Sequence, residues 1–512
     1  MRTLPTPYSH ILSLLSLLFG MAQVGMARQA PPVAVDDPLH AFMGTLLLEG
    51  MAPNVPALSW PKPASEMAAW LRDVPPESIW AAGTAERMLA RLPETSRPGR
   101  LHADLRSGIR LASQDRRDLL RYQAMDDVSW QPMLLARSWI QEGAWTASIG
   151  VRVDRWYEID PDGMDTAHRW LSRAEDAYVA RDGRFVDVFF GRMGRHWGSI
   201  DGPGLLLSRN PRPMDQIAWR MGPDRVYVES VLAELDSFTG DGRMTGTAGA
   251  DSVRAGSNRR MLAAHRLVVR MSPAWTVGLS HATLYSGPGS GFSLKFANPF
   301  NVALWEVDNR PKNDENNGMV GAFFSYRGKR SMANGELILD DVDVLNGKEP
   351  ASLAAHLAFS HRIMPRRVSL GLSATVVTAR AYNSEQAEGR WLYLGRGIAM
   401  QHSDVAHLTG HMDWLRFPGW LVRTGIDLLR QGEADFREEL PSLDEKVLFT
   451  GTSRTTLRPF VELHGLLRSG MDIAVEAGWN RMVDAGQASG MATSHLTAAL
   501  TLTYRMAGSR AL

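Results

Sequence analysis

A two-residue alternation of apolar and polar side chains constrains this chain more than any other feature. Residues 146–154 set Ala147, Ile149, Val151 and Val153 against Thr146, Ser148, Gly150, Arg152 and Asp154. Residues 472–480 set Ile473, Val475, Ala477 and Trp479 against Asp472, Glu476 and Asn480. Residues 368–378 and 496–504 repeat the pattern, the latter ending on Tyr504. A period of two means an extended strand with one apolar face. In a soluble sandwich that face is the core. In an outer-membrane barrel it meets lipid, and the polar face lines the lumen.

Two further observations favour the barrel. No run beyond the N-terminal segment reaches the roughly 18 apolar residues of a spanning helix, so a membrane reading requires strands. Trp130, Trp139, Trp156, Trp170, Trp391, Tyr393, Trp414, Trp420 and Tyr504 stand near strand ends, where interfacial girdles are expected. The alternating region runs from about residue 100 to the C-terminus, roughly 400 residues, and at about 22 residues per strand and connection it holds about 18 strands. The fold expected is an all-β transmembrane β-barrel of about 18 antiparallel strands over residues 100–505, with a small α-helical bundle before it.

That bundle is expected over residues 36–95. Asp37 caps a helix with Pro38 at its first position, running through Leu39 to Glu49 and stopping at Gly50. Ser65 caps a second over 66–72, with Met67, Trp70 and Leu71 on one side. Pro75 and Pro76 open a third, with Ile79, Met88 and Leu92 apolar. Such short amphipathic helices must pack on one another or on the barrel. Ahead of them, Arg2, the apolar run 11–24 and Gly25-Met26-Ala27 read as a secretory signal peptide over residues 1–27. The chain has no cysteine, which excludes disulfides, thiolate chemistry and lipoprotein anchoring. A net charge of +1 gives no bulk field for nucleic acid.

Residues 191–214 (GRMGRHWGSIDGPGLLLSRNPRPM) follow the strand-like run 184–190. Their glycines and prolines rule out a long helix or strand, so the path is a long ordered loop and a return. Leu205, Leu206 and Leu207 are too few to form a core element alone. Arg192, Arg195, Arg209, Arg212 and Arg220 suit a lumen or mouth that binds acidic sugars, since guanidinium forks pair with uronate carboxylates. Trp197 and Trp219 would stack on pyranose faces, and Asp201, Asn210 and Asp215 would bond sugar hydroxyls. The alternative is a structural ladder, in which the same arginines pair with acidic side chains inside the barrel.

The wording of this stretch resembles the Wzi family of capsule-assembly proteins. G-R-x3-H-W-G over 191–198 is similar to a strand that runs into the family's W-W-G-P-like turn. Leu205 to Pro213 is similar to its S-L-x-L-S-N-N-A-R-P-like segment. His196, Ser199, Arg209 and Pro211 depart from the family's usual residues. Ala264-His265-Arg266, Ser272-Pro273-Ala274-Trp275, Gly278-Leu279-Ser280 and residues 313–324 extend the resemblance over about 180–330. It implies a periplasmic placement for the helical bundle. It also implies an outer-membrane lectin, not an enzyme, that anchors capsular or exported polysaccharide. The polysaccharide-binding candidates are Arg192, Arg195, Trp197, Asp201, Arg209, Asn210 and Arg212. The partners expected are that polymer and outer-membrane lipid, with no nucleic acid, on a monomer. A sugar-selective diffusion porin is the second reading and a barrel hydrolase of lipid or glycan the third.

Other chemistry finds less support. His402, His407 and His411 invite a metal, but on a strand His407 and His411 share a face that His402 does not. Asp340, Asp341 and Asp343 lack the glycine-turned loop of a dedicated calcium site. No G-x-S-x-G, phosphate loop, zinc motif or dinucleotide fingerprint occurs. No cofactor or metal is expected. The Gly- and Ser-rich residues 236–260, and residues 287–291 and 430–446, are expected to be surface loops.

Overall fold

The computed structural model describes residues 33, 37–48, 61–74, 79–93, 99–113, 119–120, 129–154, 171–199, 202–238, 258–287, 291–302, 317–341, 352–364 and 368–511. The signal peptide reading and most of the 236–260 loop lie outside them. Among the described residues eighteen strands form one sheet. The first nine are β1 (Arg100–Ala112), β2 (Ser129–Glu142), β3 (Trp145–Asp154), β4 (Leu171–Arg181), β5 (Val186–Met193), β6 (Met214–Met221), β7 (Val226–Phe238), β8 (Asn258–Arg270) and β9 (Trp275–Gly287). Then come β10 (Asn317–Arg327), β11 (Ser331–Asp341), β12 (Ser352–Met364) and β13 (Val368–Val377). A small separate hairpin, β14 (Leu392–Tyr393) with β15 (Arg396–Gly397), precedes β16 (Val405–Trp414), β17 (Trp420–Gln431), β18 (Arg454–Leu466), β19 (Met471–Val483) and β20 (Ala492–Ala511).

Each barrel strand pairs antiparallel with its chain neighbours. β1 pairs with β20 from Arg100↔Ala511 to Ala112↔Ala499, so the sheet closes on itself. Closure is what hydrocarbon demands, because an open edge would leave backbone groups without partners. Alternation then sorts the side chains. On β19 Val475, Trp479 and Val483 are exposed on the outside, whereas Asp472 and Asn480 are buried on the inside. Trp130, Trp414 and Tyr504 are exposed, as the girdle reading expects. Trp139, Trp391 and Tyr393 are not. They are buried, Trp139 stacked on His102 with ring centroids 5.2 Å apart. Trp156 and Trp170 lie outside the described residues.

The two ends differ. At one end the connections are tight turns, such as residues 143–144, 271–274 and 467–470. At the other they are long, including 194–213, 378–404 and 432–453. Three helices, α1 (His40–Leu48), α2 (Ala64–Arg72) and α3 (Ile79–Leu89), sit at the tight-turn end. Their Phe42, Met67, Trp80 and Met88 share one core with Leu415 of a barrel turn and with Leu421 and Leu466 at the ends of β17 and β18. The Trp80 indole donates to the Trp420 carbonyl at 3.0 Å, and Arg87 donates to Leu466 at 2.9 Å. α1 is buried on nearly every side rather than amphipathic, because it lies at the centre of this unit. Ser65 does not cap α2. It lies inside the first turn, and Pro63 precedes the helix without a side-chain bond.

Asp37 accepts the Leu39 N–H at 2.9 Å and pairs with Arg106 of β1. Burial alone would raise its carboxyl pKa, but the Arg106 charge and hydrogen bond, with that N–H and Arg505, hold it down at about 2. The folded-state value is thus depressed below the ordinary 3.8. The pair stabilises docking fully above that ordinary value and stops doing so as the pH falls from there towards about 2. At one pKa unit per 1.36 kcal/mol the contribution is about 2 kcal/mol. Asp37→Asn should therefore lower the hydrogen-exchange protection of the helices in the detergent-solubilised barrel at pH 7. At pH 2 the variant and the parent should be indistinguishable.

Candidate functional site

Residues 194–213 turn into the lumen. Leu205, Leu206 and Leu207, each at most 1% exposed, pack with Tyr382, Trp391, Ile398 and Met400 of the 378–404 connection and with Phe436. The short leucine run is therefore core, completed by a segment nearly two hundred residues later in the chain. Together the connections form a plug against lumen-facing Ala218, Val231, Leu262, Ala282, Ile338 and Val377. So much irregular backbone needs partners. Tyr382 Oη donates to the Leu205 carbonyl at 2.6 Å and Trp391 Nε1 to Leu206 at 3.1 Å. The Leu205 N–H donates to Glu336 at 2.9 Å. Fully buried Arg260 of β8 donates to the carbonyls of Glu388, Arg390 and Leu392. Burial, then the Glu336 and Asp340 carboxylates, push the Tyr382 phenol well above its ordinary value, so it remains a donor.

The sequence candidates separate once the loop is folded. Arg192 shares a strand face with exposed Phe190, so it points outward near the long-loop rim, where it pairs bidentately with Asp215. Arg195 turns inward, bonding the Gln216 side chain and lying 5.0 Å over the Phe189 ring. Trp197 is buried with the Arg266 guanidinium 4.6 Å from its ring, and its N–H donates to Leu207 at 2.8 Å. Asn210 is buried too, donating at 2.8 Å to both the Gly397 carbonyl and Gln401 Oε1. Arg220 reaches Asp187 and Asp224. Trp219 faces the outside of the barrel, and Asp201 lies outside the described residues.

Arg209 and Arg212 differ from these. They line a cavity of about 640 Å³ beside the plug, bounded by β13, β16–β20 and β1–β5. Ten arginines and six carboxylates border it. Arg106, Arg110, Arg137, Arg152 and Arg173 come from β1–β4, and Arg396 comes from the plug. Most wall arginines have carboxylate partners: Arg106 has Asp37, Arg137 has Asp176 at 3.0 Å, Arg152 and Arg173 share Glu175, Arg423 has Asp413, and Arg458 has Asp427 at 3.2 Å and Glu476 at 2.7 Å. The surplus is cationic and suits an anionic ligand. The wall arginines escaped a motif-based reading. Their signal was polar-face position, which had placed Arg152 in the opening pattern.

His407 and His411 do share the inner face of β16 and line this cavity. His402 lies in the connection before it, 3.7 Å from Asp435. Burial alone would raise the Asp435 carboxyl, but the neighbouring His402 imidazole and the Arg437 guanidinium hold it at about 2. Among the described residues no group of three or more His, Cys, Asp or Glu could hold a metal ion. Asp340 accepts the Tyr382 N–H and so ties the plug to β11, while Asp343 lies outside the described residues.

Residues 140–333 match the family model described as capsule assembly protein Wzi. The fold is similar to that of an Escherichia coli protein, Wzi, described as an outer membrane protein involved in group 1 capsule assembly and as a carbohydrate-binding β-barrel. The TM-score is 0.62 at 12% identity, covering 93% of this chain and 99% of that one. Pseudomonas aeruginosa OccK3 follows with TM-score 0.45 and 12% identity over 80% of this chain and 96% of that one. Acinetobacter baumannii OccAB4 has TM-score 0.47 and 9% identity over 81% and 100%. No curated protein matches the chain.

Trp391 tests the plug. Emptying its fully buried site with Trp391→Ala should cost about 3–5 kcal/mol locally. In planar bilayers the variant should show larger and noisier conductance than the parent, with the eighteen-stranded barrel still heat-modifiable on gels.

Proposed function

We propose that this chain, whose residues 140–333 match the Wzi capsule-assembly family model and whose barrel is similar in fold to Wzi, binds capsular or exported polysaccharide and keeps it at the cell surface. The observation that carries this reading is the cationic cavity beside the plug, into which Arg209 and Arg212 project from the loop. The polymer it suits is acidic, and the site binds without turnover. The barrel sits in the outer membrane as a monomer after removal of residues 1–27. The helices of 36–95 lie at its periplasmic end, since tight turns face the periplasm and long loops the exterior in barrels of this class. Arg195, Trp197 and Asn210 hold the loop, while Arg209 and Arg212 contact sugar.

A charge-assisted bond of this kind contributes roughly 1.5–3 kcal/mol when desolvated, and every 1.4 kcal/mol is about tenfold in affinity. Arg209→Ala with Arg212→Ala should therefore shed most polysaccharide from cells that still hold the barrel at parental abundance. Trp197→Ala should lower barrel abundance and heat stability together. Cell-bound and released polymer, scored beside barrel level in a deletion strain carrying each variant, decides it. Unchanged retention in the double arginine variant would refute the site.

A further inference from the structure

Two histidines stand on the side of the barrel that faces lipid. On β9 the even-numbered Ala282 and Leu284 pack against the plug, so odd-numbered residues point outward. On β8 Leu262 and Ala264 face the plug by the same rule. His281 and His265 are therefore outward, and they are register partners. His281 is the midpoint of β9 (Trp275–Gly287). A bare imidazole at that depth would lack hydrogen-bond partners.

Both are covered by residues 291–302, which follow β9 and include a single helical turn, α4 (Leu294–Ala297). His265 lies between Ser230 Oγ at 2.8 Å and the Phe296 carbonyl at 2.7 Å. His281 Nε2 is 2.9 Å from the Pro299 carbonyl. Phe296 stacks on Tyr285 with centroids 4.2 Å apart, and Tyr285 Oη donates to Gly291 at 3.1 Å. The segment thus lies against the outer wall down to mid-strand.

We infer that residues 291–302 form a membrane-embedded strap whose partner is the acyl-chain region of the bilayer; this rests on the outer-membrane placement proposed above. Irregular backbone survives in hydrocarbon only when its polar groups are satisfied within the protein. Much of the strap's backbone has such partners. The carbonyls of Ser293, Leu294 and Asn298 accept N–H groups of Ala297, Asn298 and Asn301. The Lys295 carbonyl accepts the Asn301 side chain, and His265 and His281 take those of Phe296 and Pro299. Of the four exposed strap residues three are apolar, and the fourth, Asn298, accepts the Phe300 N–H on its Oδ1 at 3.1 Å. Phe292 is 60% exposed, Leu294 78% and Phe300 70%, continuing the band that includes Leu279 at 63%. The Lys295 ammonium lies over the Phe296 ring, 4.9 Å from its centroid.

The chain lacks cysteine, so single spin labels are unambiguous. Leu294→Cys and Phe300→Cys would be labelled with a nitroxide in the full-length protein reconstituted in phospholipid vesicles. Leu279→Cys serves as the lipid reference and Ser442→Cys as the aqueous one. Power saturation should give the strap labels the oxygen accessibility of position 279, and nickel-chelate accessibility several-fold below position 442. His281→Phe should raise the mobility of the label at 300 and leave that at 279 unchanged. Nickel access at 294 and 300 equal to that at 442 would overturn the strap. Shielding from both reagents would overturn it as well, by showing that another protein copy covers the face. If position 279 is itself aqueous, the outer-membrane placement fails instead.

Discussion

In the outer-membrane placement proposed for this chain water cannot reach the backbone amides, so every strand needs a neighbour on both sides. The pairing of β1 with β20, from residue 100 to 112 on β1, meets that requirement and makes the sheet a barrel. The remaining architecture follows. Antiparallel order puts tight turns at one end and long connections at the other. Period-two alternation sends Val475 and Trp479 outward and Asp472 and Asn480 inward. The tight-turn end offers Leu415, Leu421 and Leu466, and the helices cover them.

The same requirement acts within the lumen and against the wall. The plug backbone is neither helix nor sheet, and Arg260, Tyr382, Trp391, Asn210 and Glu336 satisfy it. Its apolar face settles where the lumen wall is apolar, mainly on β4–β13 with Val405 of β16 and Leu429 of β17. The arginine-bearing strands β1–β4 are left open to the cavity. The binding cavity is therefore a consequence of where the plug packs, and Arg209 and Arg212 reach it because residues 209–213 form the plug's edge.

Much of the fold was legible in the sequence, because strand alternation is a local property. The barrel, its strand number from length, and the helices before it could all be read from residues near one another. So could the fixed path of residues 191–214, from their glycines and prolines. The orientation of each arginine could not. Arg192 precedes the loop and follows strand parity outward to Asp215. Arg195 and Trp197 are folded under the plug by contacts with Phe189 and Arg266, which lie on the barrel wall. Trp391 and Tyr393 looked like girdle residues until the inward turn of 378–404 placed them in the core. The signal for the strap was present but unread: His265 and His281 stand at outward positions of largely apolar strand faces.

The central claim is that cationic side chains beside the plug bind an acidic glycan. Isothermal titration of the purified barrel in detergent with acidic and neutral oligosaccharides of equal length tests it directly. The acidic ligand should bind measurably at low ionic strength and weaken as salt screens the arginines. The neutral ligand should bind far more weakly throughout. Equal, salt-independent affinity for the two would contradict the claim.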